Sequence, residues 1–459
     1  MGFDYDLLVI GAGSGGLAAS KRAASYGVRV AIAEQDQVGG TCVVRGCVPK
    51  KLMVYAADFS YAYRDAIGYG WAELEGRFDW RKLVLGMQQE VQRLSQLHTE
   101  WLDKAGVTVL KGRAAFLDPH TLEIDGHRVT ADKILIAVGG EALKPDLPGI
   151  EHTITSREMF NLEQQPQRLI IIGSGYIGVE FASILRGLGT EVTLLARSDR
   201  LLSGFDCDLA AAIEMGMSQH GVRFIHNCKI QEIQPNSTGL SITLEGEREN
   251  LSADTILCAI GRSPSITGLG LENAGVECVE TTFPIKGSRA IKQQAIAVDE
   301  YSRTNQDNIF AVGDCTNRRN LTPVAIGEGR AFADTVFGHQ PRAMSYTWIP
   351  SAVFTRPEAA TVGQTELEAR QQFGEAVQCY STRFRTLMHS LTGRAEKTFM
   401  KLVVHRETEK VLGAHVVGEA AAEMIQGLTL ALRLGATKHD FDTTIGIHPS
   451  SAEEWFTLH

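Results

Sequence analysis

The sequence contains no apolar run approaching the ~18 residues needed to cross a bilayer, which argues against a membrane-spanning helix. Its eight cysteines among 459 residues are too few and too scattered for the disulfide framework of a small secreted domain. Basic residues are in deficit: 45 Lys and Arg against 54 Asp and Glu give a net charge of −9. That balance excludes a general nucleic-acid binder but leaves room for a local cationic pocket around a small anion. The start, Met1-Gly2-Phe3-Asp4-Tyr5-Asp6, carries acids instead of the cationic flank of a secretion signal. These absences predict a soluble, cytoplasmic protein in a reducing compartment, with no nucleic-acid or membrane partner.

Glycine is what the sequence has in excess, 46 residues against a usual share of roughly 7%. Many of these glycines follow apolar, β-branched runs, where phosphate-binding turns belong. With 44% hydrophobic residues the chain can bury a sizeable core, and its length suits about three domains of roughly 150 residues.

Residues 5–10 read as a buried strand and 17–26 as a helix. Between them Gly11, Gly13 and Gly16 fit G-x-G-x-x-G, with Ser14 and Gly15 inside the loop. Such a turn lets backbone N–H groups and a helix N-terminus approach a pyrophosphate. A second strand over 28–33 ends at Glu34, placed for a ribose hydroxyl. The device returns at Gly173, Gly175 and Gly178, followed by a helix over 179–188 and a strand over 191–195. The interval from first glycine to strand end is 23 positions in both copies, but the second copy has Ala196, not an acid, followed by Arg197 and nearby Arg200. Losing the acid and gaining arginines favours a 2′-phosphate, hence NADP over NAD.

Just downstream of the first loop lie Cys42 and Cys47, within Gly39-Gly40-Thr41-Cys42-Val43-Val44-Arg45-Gly46-Cys47-Val48-Pro49-Lys50. Four intervening residues fit neither metal-finger spacing nor a thioredoxin-like C-x-x-C, so no metal site is expected. Beside a flavin, such a pair can cycle between disulfide and dithiol. The first loop therefore predicts FAD and the second the nicotinamide reductant. The other six cysteines read as incidental thiols. Strands closing on glycine recur at 133–140, 255–261 and 308–314, the last with Asp314 after its glycine. From Tyr346 onward no nucleotide motif appears; 401–404 and 413–417 read as a hairpin and 420–434 as an apolar helix.

With these motifs in order, and with Leu321-Thr322-Pro323 and Gly446-Ile447-His448-Pro449-Ser450-Ser451-Ala452-Glu453 downstream, the chain resembles the glutathione-reductase branch of the FAD-dependent pyridine-nucleotide disulfide oxidoreductases. The resemblance runs over essentially the whole length. It implies an α/β fold with two Rossmann-like domains and a C-terminal α+β dimerisation domain. The divisions expected are 1–141 (FAD), 142–264 (NADPH), 265–347 (a central part completing the FAD site) and 348–459 (interface). It implies a glutathione-disulfide reductase that maintains thiol redox balance, in which NADPH reduces FAD, FAD opens the Cys42–Cys47 disulfide, and the dithiol reduces glutathione disulfide.

The same resemblance assigns roles. Cys42 is the interchange thiol and Cys47 the thiolate against the flavin. Lys50 pairs with Glu180 beside the flavin, and Tyr176 covers the flavin face until NADPH displaces it. Gly11, Gly13, Ser14, Gly15, Gly16, Glu34, Thr41, Asp314 and Thr322 surround FAD. Gly173, Gly175, Tyr176, Ile177, Glu180, Arg197, Arg200 and Gly261 surround NADPH. His448, oriented by Glu453, is the acid–base serving the other subunit of a homodimer. Ser14, Lys21, His98, Arg330 and His448 contact glutathione disulfide.

Several positions depart from the family pattern. Lys21 stands where arginine is usual, His98 where tyrosine is usual, Ser203 where a second basic residue is common, and Gly178 where alanine is frequent. Cationic Lys21 and Arg330 with small Ala18 suit an anionic disulfide; trypanothione reductases carry acidic and bulky residues there. Dihydrolipoamide dehydrogenases, the nearest rivals, generally have an acid at the position of Ala196. Mercuric reductases and large thioredoxin reductases need a further C-terminal thiol or selenol pair, which the ending Trp455-Phe456-Thr457-Leu458-His459 does not contain. A non-catalytic redox-sensing flavoprotein would have no use for His448 and Glu453. The segment 280–294 reads as an inserted exposed loop or edge.

Overall fold

A computed structural model of the chain describes residues 2–73, 76–237, 239–246, 250–283 and 291–459. The strand Tyr5–Ile10 is apolar from Leu7 onward, and Leu7, Leu8 and Val9 are fully buried, as a parallel sheet covered on both faces requires. It pairs in parallel with Val30–Glu34 on one side and His127–Ile136 on the other; Val107–Lys111 extends the sheet beyond Val30–Glu34. The short strand Ile309–Ala311 returns to this sheet and pairs in parallel with His127–Ile136. The 265–347 segment is thereby carried back to the first nucleotide unit, and its helix Thr322–Val336 packs along Ser14–Ala24.

The second unit repeats the plan with four parallel strands in the order Arg223–Ile225, Glu191–Leu195, Arg168–Ile172, Thr255–Cys258. Both glycine-loop helices begin three residues earlier than periodicity suggests, at Ser14 and Tyr176. Gly13 and Gly175 are extended N-caps, so residues that look like loop in the sequence already form the first helical turn. A Cβ at Gly16 would fall 2.0 Å from the Gly11 carbonyl oxygen, and one at Gly178 would fall 2.1 Å from that of Gly173. The third glycine of each copy thus permits helix and strand to touch.

C-terminal to both units is a five-stranded antiparallel sheet: Ser351–Val353, Ala359–Gly363, Val411–Val417, Thr398–His405, Val377–Phe384. The two strands expected as a hairpin pair antiparallel at its centre, and the helix Ala421–Arg433 lies against it. Within 280–294, Cys278–Phe283 and Ile291–Ile296 pair antiparallel; residues 284–290 lie outside the described residues.

Candidate active site

Cys42 sits inside the short helix Gly40–Arg45, and Cys47 is the first residue of the long helix Cys47–Gly68. Both are free thiols; Cys42 is half-buried and Cys47 is exposed. The helix N-terminus favours a thiolate at Cys47. Its pKa is drawn down to about 6, chiefly by the hydrogen bond from Cys42 and further by Thr322 and the Lys50 ammonium, against desolvation. Thr322 Oγ1 lies 3.7 Å from Cys47 Sγ. The Cys42 thiol is pushed strongly upward, first because it serves Cys47 as donor and then by burial. The pair therefore divides its labour: one thiolate is ready-made, and the other thiol needs a base.

Lys50, one turn along the same helix, places Nζ 2.8 Å from Glu180 Oε1 on the helix Tyr176–Gly187. Both ends of this pair are nearly buried, with side chains 13% and 4% exposed. The Phe354 N–H donates to the same Glu180 oxygen at 2.9 Å, and the Phe354 ring lies 4.2 Å from Lys50 Nζ and 3.8 Å from Lys51 Nζ. Burial pushes the Tyr176 hydroxyl up to about 12; Arg262, Glu180, Asp314 and Cys47 are the charges around it. Arg262 donates to the Gly140 carbonyl and reaches Thr41 Oγ1 at 3.5 Å and Asp314 Oδ2 at 3.6 Å. Burial raises the Asp314 carboxyl, opposed by Arg262.

Two nucleotide cofactors fit these residues. Gly13 and Gly175 give their helices no side-chain cap, and neither does Leu321 before Thr322–Val336, so first-turn N–H groups are left for anionic or carbonyl oxygens. Glu34 closes the first strand with Oε2 accepting from the Ala12 N–H at 2.8 Å, which holds the carboxylate beside the loop.

A cleft of about 470 Å³ opens over Cys42. Ser14, Lys21, His98, Thr322 and Arg330 line it together, with Ala18 and Ile326 as apolar wall. Among the described residues no carboxylate lines it, while Arg22, also on the rim, is neutralised by Asp334 at 2.5 Å. Desolvation and the neighbouring Arg330 lower the Lys21 pKa; desolvation and Lys21 lower that of His98. Lys21 Nζ lies 5.2 Å from the centre of the Trp101 ring, and His98 meets the same ring edge-on. His98 Nδ1 is buried without a hydrogen-bond partner among the described residues.

At the second unit Arg197 is exposed at the strand end, whereas Arg200 donates to Cys207 Sγ and lies 3.7 Å from Asp199. Gly261, with φ +147°, closes the strand beside the glycine loop, and Ile177 follows Tyr176 in the first helical turn. His448 Nδ1 is 3.1 Å from Glu453 Oε2, its side chain 82% exposed, and it is not among the residues lining the Cys42 cleft of its own chain. Sequence reasoning missed Arg262, Phe354 and Trp101. Arg262 follows the glycine of a recognised strand end and was within reach; Phe354 and Trp101 carry no motif.

A dithiol pair set between two glycine-loop nucleotide units, beside a buried Lys–Glu pair and a cationic cleft, defines a nucleotide-dependent disulfide oxidoreductase. Residues 5–329 match the pyridine nucleotide-disulphide oxidoreductase family and 349–459 match its dimerisation domain. The chain belongs to that family. It is 57% identical to glutathione reductase from Nostoc sp., over the whole of both chains. It is 42% identical to glutathione reductase from Burkholderia cepacia, covering 99% of this chain and 98% of that one. Against the chloroplastic/mitochondrial glutathione reductase of Pisum sativum it is 41% identical, over 99% and 82% of the two chains. Among solved structures, the HOCl-induced flavoprotein disulfide reductase RclA from Escherichia coli superposes with a TM-score of 0.87 at 28% identity, covering 99% of each chain.

Proposed function

We propose that the sites described above carry out glutathione-disulfide reduction in the cytoplasm, with His448 of one subunit completing the cleft of the other. The protein is an NADPH-dependent, FAD-containing glutathione-disulfide reductase and works as a homodimer. The observation that carries the site assignment is that Cys42 lines the same cleft as Lys21 and Arg330, a cationic pocket with no carboxylate among its described lining residues, suited to an anionic disulfide. No helix among the described residues is long and apolar enough to cross a membrane, which is compatible with the location proposed. The divisions 1–141, 142–264, 265–347 and 348–459 are retained as the working domain scheme.

FAD, when bound, passes the electrons of NADPH to the sulfur pair. The protein's own residues do the rest. Lys21 and Arg330 hold the carboxylates of glutathione disulfide and bring its sulfur–sulfur bond to Cys42. His448 takes the Cys42 proton, and its imidazolium is supported by Glu453. The Cys42 thiolate attacks one glutathione sulfur; a Cys42–glutathione mixed disulfide forms and the first glutathione leaves as thiolate, receiving the proton from His448. The Cys47 thiolate then attacks the Cys42 sulfur, closing the Cys42–Cys47 disulfide and releasing the second glutathione as a thiolate, which takes its proton from solvent. Two electrons have left the dithiol and two glutathione thiols have formed.

A side-by-side assay tests this reading. NADPH and NADH oxidation are measured with glutathione disulfide, lipoamide and trypanothione disulfide. Glutathione disulfide with NADPH is the expected best pair, and Cys42→Ser abolishes its turnover. Preferred turnover of lipoamide, or turnover surviving in Cys42→Ser, refutes it.

A further inference from the structure

Lys401 is 2% exposed, on the strand Thr398–His405 of the C-terminal sheet, and no step of the chemistry uses it. A buried ammonium is costly unless it is paired. Its Nζ lies 3.1 Å from Asp206, 2.7 Å from Asp208 and 2.6 Å from Glu366. Asp206 is itself 1% exposed and has no spare acceptor capacity. One oxygen caps the helix Cys207–Gln219 through the Asp208 N–H at 3.1 Å, and the other accepts from the Glu366 N–H at 3.1 Å. His415, opposite Lys401 in the sheet register, backs the pair. Burial lowers its pKa, and its two nitrogens are taken by Thr361 and the Gln364 carbonyl.

The segment between Leu195 and Asp206 is the one that carries Arg197 and Arg200. It is anchored at its middle by the Leu202 N–H, which donates to the Ser174 carbonyl of the second glycine loop at 2.9 Å, with Leu201 and Leu202 buried. It is anchored at its end by Asp206. Cys207, the residue after that anchor, receives the hydrogen bond from Arg200. The pose of Arg200 is thus built on the Lys401–Asp206 contact, between the C-terminal sheet and the nucleotide unit.

We infer that Lys401 is a positioning residue for NADPH selectivity: through Asp206 and Cys207 it holds Arg200 and its loop where the 2′-phosphate of the cofactor binds. The inference rests on the reading of the Arg197 loop as the phosphate site. In the holoenzyme, Lys401→Met is expected to weaken adenosine 2′,5′-bisphosphate in calorimetric titration by about tenfold, the scale of one charge-assisted hydrogen bond. The Michaelis constant for NADPH rises with it, while those for NADH and glutathione disulfide stay within about twofold, a split that general loosening of the fold does not produce. Folded Lys401→Met protein that binds the bisphosphate like the parent overturns the inference. If Lys401→Met does not fold, Cys207→Ala, at an exposed position, decides: weakened bisphosphate binding supports the link and unchanged binding refutes it. Arg197→Met is the reference. If it too leaves bisphosphate binding intact, the loop is not the phosphate site; if it alone weakens binding, only the role of Lys401 fails.

Discussion

Lys50 and Glu180 form an ion pair at 2.8 Å across the two nucleotide units, and a residue from a third region, Phe354, fixes the Glu180 carboxylate through its N–H. Each partner satisfies the other in a nearly dry setting, so removing one leaves a poorly solvated charge. Glu180→Gln is expected to cost about 3 kcal/mol of stability, the lower end for breaking a buried pair, because Lys50 retains some exposure. Thermal unfolding of the holoenzyme reads the loss. The reductive half-reaction with NADPH, followed by stopped-flow absorbance, slows at least about tenfold if the pair sets the position of Lys50. A parent-like half-reaction would limit the pair to a structural role.

Cys47 is poised to be a thiolate at neutral pH, with a pKa near 6. A lowered thiol pKa means the thiolate persists above that value and is lost as pH falls through it. Thiolate absorbance in the ultraviolet, measured on reduced protein from pH 4 to 9, should show its first transition near 6. Thr322→Val deletes a hydroxyl that lies 3.7 Å from the sulfur. Its loss should move that transition upward by about half a unit to one unit, the equivalent of one modest hydrogen bond. An unmoved transition would mean that Cys42 and Lys50 suffice to hold the charge.

The glycine loops, the strand-end acid and the cysteine pair were legible because their chemistry is local: each occupies a few consecutive residues whose spacing is dictated by a turn. The helix starts at Ser14 and Tyr176 were misplaced by three residues because the first turn is written in glycine-rich sequence that resembles a loop. Phe354 was invisible for the opposite reason. It meets Glu180 across 174 positions of chain, and nothing near it in sequence marks the encounter. Lys401 likewise reads as one polar residue in an apolar strand until the fold surrounds it with Asp206, Asp208 and Glu366.

Lys21 departs from arginine in the substrate cleft, and the structure places its ammonium against the Trp101 ring. One cation there reads one carboxylate without a bidentate fork. Lys21→Met should raise the Michaelis constant for glutathione disulfide by about tenfold and leave that for NADPH unchanged. Added salt should narrow the difference between parent and variant, since screening already weakens the parent's contact. A salt-independent gap would assign the loss to packing against Trp101, not to charge.

His448 and Glu453 stand together at 3.1 Å, yet His448 does not line its own chain's Cys42 cleft and is largely exposed. On the function proposed above, this pair serves the thiols across a two-fold interface, where each subunit donates the same residue to the other. Hybrid dimers separate the alternatives. Cys42→Ser and His448→Gln protomers are each expected to be inactive as homodimers. In a mixed dimer, sharing across the interface leaves one site with an intact Cys42 from one protomer and an intact His448 from its partner. Random re-association makes about half of the dimers hybrids, and half of their sites are intact, so about a quarter of parental turnover should return. If His448 acted within its own chain, every site in the mixture would lack one of the two groups. Activity that stays at the level of the unmixed variants, with hybrid formation verified by mass, would exclude the shared site.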